Sequence, residues 1–259
     1  MDIATEEHRI DTPRGRLYAK SWRAPGAAAL PPIVLFHDSL GCVDLWRDFP
    51  AALCAATRRR VIAYDRLGFG RSDARDDVLT PRFVVDEAPF AIPELCKQLD
   101  IDAFVAFGHS VGGGMAIACA AAFAQRVAAL VTESAQTFVE DRTLAGIRHA
   151  QAQFAQDGQL ARLAKYHGDK ARWVLDAWIA TWLAPDFAAW TLDDELARVR
   201  CATLAIHGDA DEYGSIAHPG RIGECVPQAQ VEILAGCGHV PHREREAVVL
   251  ARVAAFLGA

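Results

Sequence analysis

The sequence predicts an α/β protein: a mostly parallel, eight-stranded sheet flanked by helices, with an inserted helical cap. Three observations carry the prediction. Short β-branched or aromatic runs that end in Gly, Asp or His alternate with helix-forming stretches. Several of these runs are apolar throughout, as strands buried on both faces are. The alternation stops between about residues 135 and 200, where Ala- and Gln-rich helix-forming sequence takes over.

The elements follow in order. Weak strands around His8 to Ile10 and Arg16 to Ser21 flank the turn residues Thr12-Pro13-Arg14-Gly15 and predict an antiparallel hairpin at one edge. Ala27-Ala28-Ala29 reads as loop filler. Six clear strands come next, at Ile33 to Phe36, Val61 to Tyr64, Phe104 to Phe107, Val127 to Thr132, Leu204 to Ile206 and Val231 to Leu234. Helices are predicted over Trp46 to Ala56, Phe90 to Leu99, Val111 to Phe123, around Ile222 to Val226, and over Ala247 to Leu257. Parallel neighbours need long crossovers, so this alternation places helices over both faces of the sheet.

The core is expected at 1–134 and 201–259, and the cap at 135–200, with Gly158, Gly168 and Pro185 breaking its helices. Four of the six tryptophans, Trp173, Trp178, Trp182 and Trp190, are concentrated there. Trp178 and Trp182 stand at i, i+4 on one helix face, which marks cap core before it marks a pocket. With Phe138 they are the candidates for a substrate wall, since a pocket needs large apolar surface.

Composition narrows the function classes. A chain of 259 residues, 52% hydrophobic and 23% charged, can fill one sizeable core and does not match global disorder. The formal charge is −6 and the longest basic run is Arg58-Arg59-Arg60, so nothing offers a phosphate-backbone footprint. The start, Met1 to Glu7, is acidic and lacks the basic and apolar parts of a secretory signal. No apolar run reaches the roughly 20 residues of a membrane-spanning helix. A cytoplasmic protein is expected, monomer or homodimer, acting on a small molecule and without nucleic-acid or membrane partners. Seven scattered cysteines, never in C-x-x-C, read as reduced structural thiols rather than a disulfide framework or zinc site.

Chemistry concentrates at Gly108-His109-Ser110-Val111-Gly112, between a predicted strand and a predicted helix. A sharp strand-to-helix turn strains Ser110 and lifts its Oγ to the helix N-terminus, where free N–H groups favour developing negative charge. Serine needs an adjacent base. His239 follows the strand Val231 to Leu234 and supplies it. His242 is the rival base, although Pro241 and the onset of the last helix suit it better to capping; His109 is expected to pack the turn. The carboxylate that orients the base is Asp211, with Asp209 and Glu133 as competitors; Asp209 is expected to bond its own turn.

Taken together the chain resembles the α/β-hydrolases over nearly its whole length. Asp65-Arg66-Leu67-Gly68-Phe69-Gly70-Arg71-Ser72 is similar to the family's D-x-R-G-x-G-x-S loop, and His37-Asp38-Ser39-Leu40-Gly41 to its H-G-x-x-G oxyanion loop. The order Ser110, Asp211, His239 is the nucleophile, acid, base order of that architecture. The resemblance implies an oxyanion hole from the backbone N–H groups of Val111 and Ser39. Asp38 departs from the family's usual Gly, and its carboxylate is expected to turn away and bond loop N–H groups; a functional Asp38 that holds a polar substrate group or a water is the other reading. Stretches such as Phe138-Val139-Glu140-Asp141 and Gly236-Cys237-Gly238-His239 resemble a largely uncharacterised bacterial branch of these hydrolases.

The function this implies is a serine hydrolase of carboxylic esters, thioesters or lactones, working through an acyl-enzyme on Ser110 without cofactor or metal. Carbon–carbon bond hydrolysis and peracid formation use the same triad and stay open. So does a ligand-binding protein on this fold, although such a protein would be expected to have lost a triad position.

Overall fold

Alternation of side chains along each strand builds two cores, one on either face of the sheet. In β3 (Ile33–Phe36), Ile33 and Leu35 enter one core, while Val34 and Phe36 enter the other. β4 (Val61–Tyr64) divides the same way, Val61 and Ala63 against Ile62 and Tyr64. The structure, a computed structural model, describes residues 3–26 and 30–259. The predicted filler Ala27-Ala28-Ala29 lies outside the described residues.

β1 (Ala4–Thr12) and β2 (Gly15–Arg23) form the predicted edge hairpin, and β2 pairs antiparallel with β4. The remaining strands, β3, β4, β5 (Phe104–His109), β6 (Val127–Glu133), β7 (Ala202–Gly208) and β8 (Ala229–Leu234), pair in parallel. The eight-stranded order is β1-β2-β4-β3-β5-β6-β7-β8. All six clear strands fall where the sequence predicts them, lengthened by up to two residues at their ends. Their carboxyl ends share one edge, so the loops after β3, β5, β6, β7 and β8 converge there.

The helices, in chain order, are α1 (Phe49–Thr57), α2 (Phe83–Gln98), α3 (Val111–Ala122), α4 (Asp141–Phe154), α5 (Gln159–His167), α6 (Ala171–Trp182), α7 (Asp193–Leu196), α8 (Ala217–Cys225), α9 (Pro241–Glu244) and α10 (Glu246–Phe256). α1 and α10 close one core through Phe49, Leu53, Val249 and Val253; α2, α3 and α8 close the other. Three helices differ from expectation. The helix predicted from Trp46 is broken: Val43–Trp46 is a 3₁₀ turn, Arg47 has φ 53°, and α1 restarts with Pro50 in its first turn, where a missing N–H is harmless. α2 starts seven residues before Phe90 and runs through Pro89 and Pro93. α8 likewise opens upstream, at Ala217, and takes in Pro219 and Gly220. For α2, burial of Val84, Ala88, Ala91, Ile92 and Leu95 against the sheet outweighs the lost helical bonds.

Between β6 and β7 the chain is helical, from α4 to α7, and lies over the convergent edge. Gly158 (φ 80°) and Gly168 (φ 58°) bound α5, and Pro185 opens a single 3₁₀ turn after α6. All seven cysteines are unpaired. Among the described residues, no helix is long and apolar enough to cross a membrane.

Candidate active site

The turn at Ser110 is held open by two backbone contacts that only glycine tolerates. A Cβ on Gly108 would sit 2.0 Å from Gly112 O, and one on Gly112 would sit 2.2 Å from Phe36 O. Between them Ser110 adopts φ 57°, ψ −126°, a strained conformation for a residue with a side chain. Its N–H is anchored to Glu133 O at 2.9 Å, and its Oγ points into a cavity of about 350 Å³.

Ser110 Oγ lies 3.0 Å from His239 Nε2. His239 Nδ1 lies 2.9 and 2.8 Å from the two oxygens of Asp211. A carboxylate only accepts, so the hydrogen of the imidazole is on Nδ1 and Nε2 is free to take the serine proton. Asp211 Oδ1 also accepts from the N–H groups of Tyr213 (2.7 Å) and Gly214 (3.1 Å). Burial alone would raise the Asp211 carboxyl, but its bond to His239 and the Tyr213 amide outweigh burial and hold it below its ordinary value. His207 stands 3.4 Å away, and burial pushes its ring below its ordinary value, so His207 is a neutral neighbour that bonds Gly214 O. Arg142 on α4 donates to Asp211 O at 2.9 Å and ties the inserted helices to this loop.

The competing carboxylates are placed elsewhere. Asp209 accepts from Gly236 N–H at 2.7 Å, bracing the loop after β8 rather than its own turn. Glu133 is fully buried and meets His242 Nδ1 at 2.5 Å. His242 is therefore not a helix cap: it is a buried partner of Glu133, packed against Trp46 and Phe49 and not facing Ser110. The reason is distance along the chain: the carboxylate that binds the ring, Glu133, ends β6 109 residues earlier, and spacing near residue 242 does not reveal it.

Ser39 lines the cavity, and Val111 opens α3 directly behind Ser110. Neither backbone N–H has an acceptor among the described residues. Asp38 bonds a loop N–H as expected, Oδ1 accepting from Leu40 at 2.9 Å. It does not turn fully away: its side chain is 33% exposed, lines the cavity, and sends Oδ2 toward His109.

The cavity wall corrects two sequence expectations. Trp178 lines it and faces Tyr213, whose ring is tilted against that of His239 with centroids 4.9 Å apart. Trp182 is 1% exposed, packs edge-on to Phe187 and Trp190, and joins the core that α2 and α3 close. Phe138 lies against His218 at 4.3 Å and bridges to Thr191, away from the cavity. Burial drives His218 down to about 4, and Glu140 anchors Ser215 through both oxygens; the stretch from Phe138 to Asp141 is structural.

Several wall residues were not foreseen: Gln159, Arg162, Leu163 and Tyr166 on α5, and Arg243 on α9. The first four have i, i+3, i+4, i+7 spacing, a signal legible in the sequence. Among the described residues neither Arg162 nor Arg243 is paired with a carboxylate; Arg243 donates to Leu45 O. For a metal, His109, Glu133 and His242 are the group of three whose ligating atoms converge among the described residues. Glu133 and His242 stand 2.5 Å apart, closer than the roughly 3.4 Å between two ligands of a tetrahedral zinc ion, and they already share a hydrogen. The group does not fit a metal.

Comparison with known proteins agrees with this architecture. The model of the alpha/beta hydrolase fold family matches residues 31–177. A 2-hydroxymuconate semialdehyde hydrolase of a Pseudomonas species is 29% identical over 87% of this chain and 86% of its own. A 2-hydroxy-6-oxo-2,4-heptadienoate hydrolase of Pseudomonas putida is 25% identical over 88% of this chain and 89% of its own. Among solved structures, a 2-hydroxy-6-oxo-6-phenylhexa-2,4-dienoate hydrolase from a Rhodococcus species superposes with TM-score 0.85 over the full length of both chains at 17% identity, a likeness of fold.

Proposed function

The chain belongs to the alpha/beta hydrolase fold family, and on that premise we propose that it is a serine hydrolase cleaving a carboxylic ester, thioester or lactone through an acyl-enzyme on Ser110. One observation carries the reading: Ser110 Oγ, the His239 ring and Asp211 form an unbroken hydrogen-bonded chain on the floor of a cavity. His239 takes the serine proton as Oγ attacks the carbonyl, and Asp211 steadies the imidazolium that forms. The N–H groups of Val111 and Ser39 receive the oxyanion. The same imidazole then protonates the leaving group and activates the water that frees the acyl group.

The cavity selects the substrate. Leu40, Leu45, Ile147, Phe154, Leu163 and Trp178 offer apolar surface, while Arg162 and Arg243 are cations without a carboxylate partner. This combination suits a substrate with an apolar body and a carboxylate of its own. It also favours a second reading, hydrolysis of a carbon–carbon bond beside a carbonyl. The two Pseudomonas relatives that align along most of the chain are hydrolases of a hydroxy-oxo-dienoate and of hydroxymuconate semialdehyde.

Fluorophosphonate labelling, followed by panels of chromogenic esters, lactones and 2-hydroxy-6-oxo-dienoates, tests both. Labelling lost in Ser110→Ala supports the shared triad, and the panel with the higher kcat/KM decides the bond. A wild-type protein that neither labels nor turns over any panel member refutes both readings.

A further inference from the structure

Beneath the triad lies a further contact between an imidazole and a carboxylate, which the hydrolytic steps leave unused. His109, the residue before Ser110, is buried, and its Nε2 lies 2.8 Å from the carbonyl oxygen of His239. A carbonyl oxygen only accepts, so Nε2 carries a hydrogen and donates it. Nδ1 faces Asp38 Oδ2 at 3.6 Å and has no hydrogen-bond partner among the described residues. Asp38 in turn holds the Leu40 N–H, in the loop that carries Ser39. Three segments therefore meet on one ring: the loop after β3, the turn at Ser110 and the loop bearing His239.

The ionisable groups facing His109 are Asp38 from the loop after β3, Glu133 from the end of β6, and His239 and His242 from the segment after β8. Glu133 is committed to His242. Burial would strip the His109 proton, but Asp38, with Glu133 and the His239 carbonyl, reverses this and raises it above its ordinary value. On the other side burial would raise Asp38, and the His109 ring beside it, with the Leu40 N–H, holds Asp38 well below the usual carboxylate range.

We propose that His109, held by Asp38, is a positioning residue for His239: its Nε2–H fixes the His239 backbone, and with it the reach of the imidazole to Ser110, in the same frame as the oxyanion loop. Asp211 steadies the ring through its side chain, whereas His109 steadies the main chain on which the ring is mounted. The inference rests on the hydrolase reading above. A displacement of about 1 Å at a reacting group costs on the order of 100-fold in rate, so loss of this donor should be visible in the reactivity of Ser110.

The test is the rate of fluorophosphonate labelling of the full chain between pH 5 and 9, for wild type, His109→Phe, His109→Gln and Asp38→Asn, with Ser110→Ala as control. His109→Phe removes the donor and should label about 10- to 100-fold more slowly. His109→Gln keeps an amide N–H near the Nε2 position and should stay within about threefold at its optimum. Asp38→Asn keeps that donor but loosens its hold on the ring, and should fall between the two His109 variants. The proposal is overturned if folded His109→Phe labels at the wild-type rate, or if His109→Gln is as slow as His109→Phe. Should His109→Phe fail to fold, His109→Leu, which also lacks the donor, takes its place in both comparisons. Absence of labelling in wild type, or labelling retained in Ser110→Ala, refutes the hydrolase reading instead.

Discussion

Replacing Asp211 by Asn changes one atom in the chain that runs to Ser110, and the geometry dictates its consequence. Asp211 Oδ1 accepts from two backbone N–H groups, Tyr213 at 2.7 Å and Gly214 at 3.1 Å. An Asn must therefore keep its carbonyl oxygen at that position and put its NH₂ where Oδ2 now lies, 2.8 Å from His239 Nδ1. Two donors would then face each other, and the remaining oxygen, 2.9 Å from Nδ1, already accepts from two backbone N–H groups and is a poor substitute. The imidazole escapes by moving its hydrogen to Nε2, the atom 3.0 Å from Ser110 Oγ, and can no longer accept the serine proton. The corresponding Asp→Asn change in a serine protease leaves the geometry intact and lowers kcat by about 10⁴. We expect Asp211→Asn to approach that scale in p-nitrophenyl ester turnover and in labelling rate, with the protein still folded. Asp209→Asn can keep its bond to Gly236 N–H and should stay within about tenfold of wild type. Glu133→Gln should also stay within about tenfold, but should melt earlier because its buried bond to His242 weakens. A crippled Glu133→Gln beside a nearly normal Asp211→Asn would refute the reasoning.

The remaining expectations follow from other parts of the site. Trp178→Ala should reorder an ester panel, whereas Trp182→Ala should leave the order unchanged and cost about 3–5 kcal/mol in denaturant unfolding, the usual loss for a large buried aromatic; the reverse pattern would misplace the pocket wall. Arg162→Gln and Arg243→Gln should each raise KM for a carboxylate-bearing ester about tenfold and leave a neutral ester unaffected, since a charged hydrogen bond is worth roughly 1.5–3 kcal/mol; equal effects on both esters would count against an acidic substrate. The Asp38–His109 contact sets a pH window for stability. His109 is raised on folding, so its contribution is complete below the unfolded value of about 6.5 and is lost as pH rises through the folded one; Asp38 is depressed, so its contribution is complete above about 3.8 and is lost on acidification. The melting-temperature gap between wild type and Asp38→Asn should be widest between about pH 4 and 6.5 and shrink above it, and a gap independent of pH would argue that the pair is uncharged.

What could be read in the chain order is what neighbours in sequence enforce. Four-residue apolar runs such as Ile33 to Phe36 and Val61 to Tyr64 can satisfy both faces only inside a sheet, and they stand where the pattern places them. The turn at Ser110 is equally local, because the atoms that forbid a Cβ on Gly108 lie four and five residues away. His239 was legible for the same reason, as a histidine placed just after a strand whose carboxyl end must join the others.

The rest depended on distances that spacing does not encode. Asp211 and Asp209 are two residues apart, and only the path of the loop after β8 sends one to His239 and the other to Gly236. His242 meets Glu133 across 109 residues, and His109 meets the His239 carbonyl across 130, contacts created by the convergence of strand ends. Trp178 and Trp182 share a helix face, yet one reaches the cavity and the other the core, because α6 runs out of the cavity wall into the packing around Phe187 within a single turn. Local sterics write themselves into short sequence patterns; which side chains meet across the sheet edge is set by the packing of whole elements, and it is there that the lining of the cavity and the neighbours of His239 are decided.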